Sequence, residues 1–140
     1  MADCVPIFLY DDNRKIFGLI HSGWKGTAGN IVLNGIQKMI DNKSHIDDIK
    51  AVLGPCIQAC CYEVGEDVAK HFGEGSKVHK GDNKWMLDLH HHIKHSLIKK
   101  GIKRNNIEFS DVCTFESDDC HSYRRDGNDA GRMIAVMGML

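Results

Sequence analysis

The sequence predicts an α/β or α+β domain built on a mixed sheet. Three observations carry the prediction. Two apolar runs near the start are separated by a short polar turn. Two later stretches place apolar residues at spacings of three and four. Further strand-like runs are interleaved with those helical patterns rather than segregated from them. In order along the chain, Val5–Tyr10 and Lys15–His21 read as strands joined by a turn at Asp11–Arg14. The segment "GWKGTAGN" follows, with three glycines in eight residues. Ala28, Ile31, Val32, Ile36, Met39 and Ile40 then define an amphipathic helix, with Thr27 as its N-cap. Ala51–Pro55 ("AVLGP") reads as a buried strand stopped by Gly-Pro, and Glu63–Phe72 as a short helix ending at Gly73.

The polar, glycine-containing stretch from Gly73 to Lys84 reads as a loop. Asp88 is the expected N-cap of another helix, whose apolar face is Leu89, Ile93, Leu97 and Ile98 and whose stop is Gly101. "NIEFSDVCTF" gives a further strand region, "SDDCHSYRRDGNDAGR" a charged loop, and "RMIAVMGML" a closing apolar strand. The expected total is five strands and three helices, with no internal repeat.

A chain of 140 residues is one domain by the usual size prior, and buries about two-thirds of its unfolded surface. A net charge of −1 gives no electrostatic footprint for nucleic acid or an anionic membrane. No apolar stretch approaches the ~20 residues of a membrane span. The start has no basic region of the kind that opens a signal peptide. Six cysteines without an export signal favour a reduced, cytoplasmic setting with free or metal-bound thiols over a disulfide framework.

Several constellations can carry chemistry. Cys4 precedes the first strand and His21 ends the second. If those strands are neighbours, the two side chains meet. Thiolate and imidazole suit Zn²⁺, whose catalytic sites keep three protein ligands and a water, and they equally suit a Cys–His nucleophile pair. Asp3 is placed to orient a ligand. Two core-packing residues are the plain alternative. The turn around Lys25 and Gly26 offers backbone N–H groups and a cation for phosphate or an oxyanion, or it is simply a tight turn. It is not a P-loop, because GxxxxGK[ST] is absent.

"GPCIQACCYEVG" packs Cys56, Cys60 and Cys61 together. It lacks a CxxC partner at zinc-finger spacing and reads as a loop of buried cysteines. Tyr123, Arg124 and Arg125 suit a planar base and an anion, or a solvated loop with an Arg–Asp pair. His90, His91, His92 and His95 lie on a helix without an HExxH pattern, most of them on its wet face, and no metal role is expected there.

The motifs "ADCVPI", "HSGWKGT", "GPCIQACCYEVG", "LDL" and "SYRRDG…GR" occur in this order. The series resembles the YfiH-like, or laccase-domain, family, described both as polyphenol oxidases and as purine nucleoside phosphorylases. The resemblance covers nearly the whole chain. It implies a layered α/β sandwich with mixed sheets, similar to the catalytic domain of cytotoxic necrotizing factors. It also implies zinc held by Cys4, His21 and a histidine from an upstream motif. That motif is absent here, so residues 1–140 are expected to be one such domain lacking its N-terminal part. Lys25 stands where the family more commonly has Arg, which keeps the charge and loses the fork.

The implied activity is zinc-dependent phosphorolysis of adenosine, inosine, guanosine and methylthioadenosine, with adenosine deamination as a side activity. The implied ligands are a purine nucleoside and phosphate, and a homo-oligomer is an allowed state. In that reading Cys4 and His21 are the metal and catalytic residues, while Lys25, Gly26, Tyr123, Arg124 and Arg125 bind substrate. The rivals are a copper-dependent polyphenol oxidase, a metal-independent Cys–His hydrolase and an inactive truncated remnant.

Overall fold

A computed structural model of the chain describes residues 1–138. The first two predicted strands form an antiparallel hairpin of β1 (Val5–Asp11) and β2 (Ile16–Ser22), in register from Val5 opposite Ser22 to Asp11 opposite Ile16. The buried Asp11 carboxylate closes its turn, accepting the N–H groups of Asn13 and Arg14 at 2.9 and 3.1 Å. This is the local hydrogen bonding that makes aspartate a turn residue. A short helix α1 (Trp24–Ala28) and a longer one, α2 (Ile31–Asp41), follow. Next come β3 (Lys50–Leu53), β4 (Glu63–Gly65), α3 (Glu66–Ala69), β5 (Lys77–Gly81), β6 (Lys84–Leu87), α4 (Leu89–Lys100), β7 (Ile107–Phe109) and α5 (Tyr123–Asp126).

Two sheets result. One has the order β2-β1-β3-β7, with β3 and β7 parallel and the other pairs antiparallel, so it is mixed as expected. The other has the order β4-β6-β5 and is antiparallel. The core lies between the larger sheet and the helices. Val5, Ile7 and Leu9 of β1 and Leu53 of β3 meet Val32, Ile36 and Met39 of α2 and Ile93 and Leu97 of α4, all buried. The spacings of these residues along α2 and α4 are the three-and-four pattern that places them on one helix face.

Four sequence expectations are corrected. Thr27 does not cap the long helix: it lies inside α1, buried, with its hydroxyl 2.8 Å from that of Ser22. The helix instead starts after Asn30, whose φ of 53° turns the chain between α1 and α2. Glu63–Phe72 splits into a strand and a single helical turn, because Glu63–Gly65 pairs with Lys84–Met86. The stretch from Gly73 to Lys84 is not a loop throughout, since it contains β5 and the turn into β6. Its tip, Asp82-Asn83, has positive φ at both residues (49° and 58°), the backbone that tight hairpins require. The closing strand is absent: residues 132–138 run without strand pairing, with Ile134 and Val136 exposed, and 139–140 lie outside the described residues. No helix among the described residues is long and apolar enough to cross a membrane.

Candidate active site

The hairpin register explains how residues seventeen positions apart come together. Pro6 lies opposite His21 and Val5 opposite Ser22. One step further places Cys4 beside Gly23, where a Cβ on the glycine would sit 3.0 Å from the Cys4 sulfur. Gly23 therefore leaves the thiol its space. Cys4 and His21 both line a cleft of about 540 Å³, with Asp3, Trp24, Tyr62, Tyr123, Arg124 and Arg132 among its other walls. A smaller hollow of about 220 Å³ adjoins it, shares Asp3, Cys4, Trp24 and Tyr62, and adds Lys25. Cys4 is half-buried and His21 is exposed.

Burial, and then the neighbouring Asp3 charge, push the Cys4 thiol above its ordinary pKa. A thiol in that state is a poor free nucleophile, because the thiolate is the reactive form. The same surroundings, a half-buried sulfur beside a carboxylate, favour a cation, and thiolate with imidazole is a donor set suited to zinc. Asp3 itself has φ of 73°. Its carboxylate accepts from the Thr114 hydroxyl and from the Arg124 backbone N–H, both at 2.7 Å. It therefore fixes the segment carrying Cys4 against the loop carrying Arg124.

The "SYRRDG" loop divides its residues. Ser122 caps α5, its hydroxyl accepting the Arg125 N–H at 3.2 Å. Tyr123 and Arg124 face the cleft. The Arg124 guanidinium lies 5.2 Å from the Tyr62 ring centre and donates to the Glu63 carbonyl at 2.6 Å. Burial raises the Tyr62 hydroxyl to about 12, so it is protonated at neutral pH. Arg125 turns away from the cleft. Its fork donates to the carbonyls of Thr114, Phe115, Ser117 and Cys120, and it pairs with Asp126. Gly26 does not line the cleft either, since a Cβ there would meet Ile31 and Ser22. The turn at Lys25 is already helical, with the Thr27 N–H bonded to the Gly23 carbonyl at 2.8 Å. A five-residue helix is a weaker anion cradle than the open glycine turn and longer helix expected from sequence.

The histidines of α4 do not converge. His90 is buried, with Nε2 3.1 Å from the Gly54 carbonyl and 3.3 Å from the Cys56 sulfur. His92 is half-buried, its ring edge-on to Phe72. His91 and His95 alone are exposed. Two sequence readings are adjusted here: only two of these four lie on the wet face, and the cysteines of "GPCIQACCYEVG" are not uniformly buried. Cys56 is buried, Cys61 half-buried and Cys60 exposed. Sequence reasoning also missed a cluster. The sulfurs of Cys60, Cys61 and Cys113 and a carboxylate oxygen of Glu116 lie within 4.8 Å of one another, an arrangement that can hold a metal. The fifty-one residues between Cys61 and Cys113 carry no spacing signal for it.

A family model described as multi-copper polyphenol oxidoreductase laccase matches residues 1–140. The chain belongs to this laccase-domain family. A purine nucleoside phosphorylase of Clostridium acetobutylicum is 42% identical over 97% of this chain and 59% of its own length. One from Deinococcus radiodurans is 38% identical over 99% of this chain and 54% of its own. Among solved structures, the hypothetical protein YfiH of Bacillus licheniformis superposes with a TM-score of 0.85 at 33% identity, covering 89% of this chain and 50% of that one. The mixed α+β architecture with two sheets is thus that of the laccase-domain fold. The chain spans a little over half the length of these curated relatives.

Proposed function

We propose that this laccase-domain chain contributes the active site of a purine nucleoside phosphorylase that works with zinc. The observation that carries the reading is the meeting, around one cleft and the hollow that adjoins it, of a Cys–His pair, three cations and aromatic walls. A cleft of about 540 Å³ falls in the roughly 300–1,000 Å³ range of small-molecule sites. Tyr123, Tyr62 and Trp24 offer faces for a purine. Lys25, Arg124 and Arg132 offer positive charge for phosphate. The names of the relatives point the same way.

In phosphorolysis a phosphate oxygen bonds to the ribose C1′ as the C1′–N bond breaks. The electron pair leaves on the purine, which gains a proton. The cations hold phosphate against the sugar and relieve repulsion within it. The aromatic walls hold the base so that the leaving nitrogen is oriented. Zinc held by Cys4 and His21 would supply Lewis-acid polarisation or a water of lowered pKa. A catalytic zinc takes three protein ligands, and among the described residues no close group of three such donors includes Cys4 or His21. A further donor from outside this pair completes the site.

Incubation with adenosine, phosphate and zinc tests the reading. Phosphate-dependent release of adenine and ribose 1-phosphate, lost in Cys4→Ser, is expected. Conversion to inosine without phosphate would assign the deaminase reaction instead. Calorimetric binding of guanosine and of inorganic phosphate gives a readout that does not need turnover. Lys25→Ala and Tyr123→Ala should weaken phosphate and guanosine respectively by about tenfold, the loss of one good polar or stacking contact. Absence of both turnover and binding would overturn the proposal. The copper oxidase reading finds less support, because the histidines of α4 that it would need are held apart, His90 buried against the Gly54 carbonyl and His91 and His95 exposed, whereas imidazole is a characteristic copper ligand.

A further inference from the structure

We propose that Cys60, Cys61, Cys113 and Glu116 form a second metal site, closed and structural, for a zinc-class thiophilic divalent ion. It is separate from the Cys4–His21 pair and does not depend on the reading of that pair. The geometry carries the inference. The four donor atoms lie within 4.8 Å of one another, and the Cys60 and Cys61 sulfurs are 3.3 Å apart. Zinc–sulfur bonds of about 2.3 Å and zinc–oxygen bonds of about 2.0–2.2 Å put tetrahedral ligands roughly 3.5–3.8 Å from one another. The observed separations bracket that range, so small side-chain rotations close the tetrahedron. Three sulfurs and one carboxylate fill all four positions, which is the pattern of a structural rather than a catalytic zinc.

A second observation is the way the Cys113 sulfur is held. The Gln58 N–H points at it from 3.5 Å. An N–H donor at a cysteine sulfur favours the thiolate, the form that binds metal. Arg125 clasps the same turn through the carbonyls of Thr114, Phe115 and Ser117 at 3.2, 3.1 and 3.0 Å. Its charge lies beside a cluster that becomes anionic when loaded.

The site's position gives it a task. Cys61 precedes Tyr62, a wall of the cleft, and Cys113 precedes Thr114, whose hydroxyl donates to Asp3. An ion at the cluster clips the Cys56–Tyr62 loop to the Cys113–Ser117 turn. Both segments then stay fixed behind the cleft.

The test is cobalt substitution of the reduced 140-residue chain carrying Cys4→Ser, which disables the other pair. One equivalent of Co²⁺ should bind with an intense sulfur-to-metal charge-transfer band. Cys113→Ser should abolish the band. Cys113 is buried and its variant can misfold, so Cys60→Ala and Glu116→Gln, at exposed positions, provide the second measure. Each should weaken Co²⁺ and Zn²⁺ binding at least about tenfold, as loss of one ligand does. No charge-transfer band in the Cys4→Ser chain would overturn the site. So would a band that Cys60→Ala and Glu116→Gln leave unchanged, or a disulfide among these three cysteines that survives reductant. Because Cys4 is already removed, none of these results bears on the phosphorylase reading.

Discussion

Asp3 and Arg124, 121 positions apart, are joined by a 2.7 Å hydrogen bond from the Arg124 backbone N–H to the Asp3 carboxylate, whose other oxygen accepts from Thr114 at 2.7 Å. One side chain next to the candidate ligand Cys4 thus ties down two loops that bound the cleft. Asp3→Ala should remove both bonds and place a Cβ residue without a compensating side chain at φ of 73°. Charge-assisted bonds of this kind are worth about 1.5–3 kcal/mol at most, so a loss of about 1–2 kcal/mol is expected in chemical denaturation. Asp3→Asn tolerates the left-handed backbone and keeps one acceptor oxygen. It should lose less than half as much. Equal stability of Asp3→Ala and the native chain would sink this account.

Gly23 is a packing glycine rather than a conformational one. Its φ of −79° and ψ of −177° suit any residue. What alanine would meet is the Cys4 sulfur at 3.0 Å. Gly23→Ala should therefore leave the melting temperature within about 2 °C, since no backbone strain is added, yet lower zinc affinity at the Cys4–His21 pair by tenfold or more. Competition with a chromophoric chelator in the Cys60→Ala background measures that affinity apart from the second cluster.

The elements legible in the sequence were those whose burial pattern is local. The hairpin of β1 and β2 showed itself through two apolar runs and an Asp-led turn, and α4 through Asp88, its apolar stripe and Gly101. Asp88 does cap that helix, accepting the His91 N–H at 2.8 Å. What escaped had weak or misleading local signals. In the hairpin of β5 and β6 it is β5 that is polar, because its middle is exposed; Val78, its one branched apolar residue, is 69% exposed, whereas β6 turns Leu87 into the core. Residues 132–138 are apolar, but the backbone pairing seen for them among the described residues stops at Met133, which exchanges hydrogen bonds with Met1, and one pair does not make a strand. The motifs around Cys4, His21 and Lys25 were legible as a series, and the structure sets the first two on the cleft and Lys25 in the hollow beside it. The separation of Arg124 from Arg125 was not, because only the folded loop determines which fork finds carbonyls. The cysteine cluster was hidden because Cys113 reaches it through the parallel pairing of β3 with β7, continued by a bridge between Cys56 and Cys113.

The end of α4 supplies a prediction with a backbone cause. Gly101 has φ of 112°, the Gly101 N–H bonds to the Ile98 carbonyl at 3.0 Å, and the Ile102 N–H to that of Leu97 at 3.0 Å. These are the paired bonds of a Schellman stop, with buried Ile102 against buried Leu97 as the accompanying apolar contact. Alanine has no comfortable conformation at that φ. Gly101→Ala should cost about 1–2 kcal/mol, read as a lower urea midpoint with an unchanged slope. Gly73→Ala is the control. Gly73 has an ordinary negative φ of −72°, and a Cβ there meets nothing within 4 Å; the substitution should be neutral or slightly stabilising.

His90 gives the acid side of the stability profile. Burial lowers its pKa below the ordinary value, although the Gly54 carbonyl opposes the shift. Burial also lowers His92, with His95 and His91 adding repulsion. A depressed histidine pKa in the folded state means that the unfolded chain binds protons more readily. Above the ordinary value of about 6.5 both states are neutral and nothing is lost. As pH falls through about 6.5 the unfolded chain protonates first, and stability declines until the folded pKa is passed. Urea midpoints of the native chain should therefore stay nearly level from pH 7.5 to about 7 and drop from about 6.5 to 5. His90→Gln retains a donor for Gly54 and does not titrate, so its midpoints should fall less steeply, the remaining slope belonging in part to His92. Parallel profiles for the two proteins would show that His90 is not the group that couples acid to unfolding.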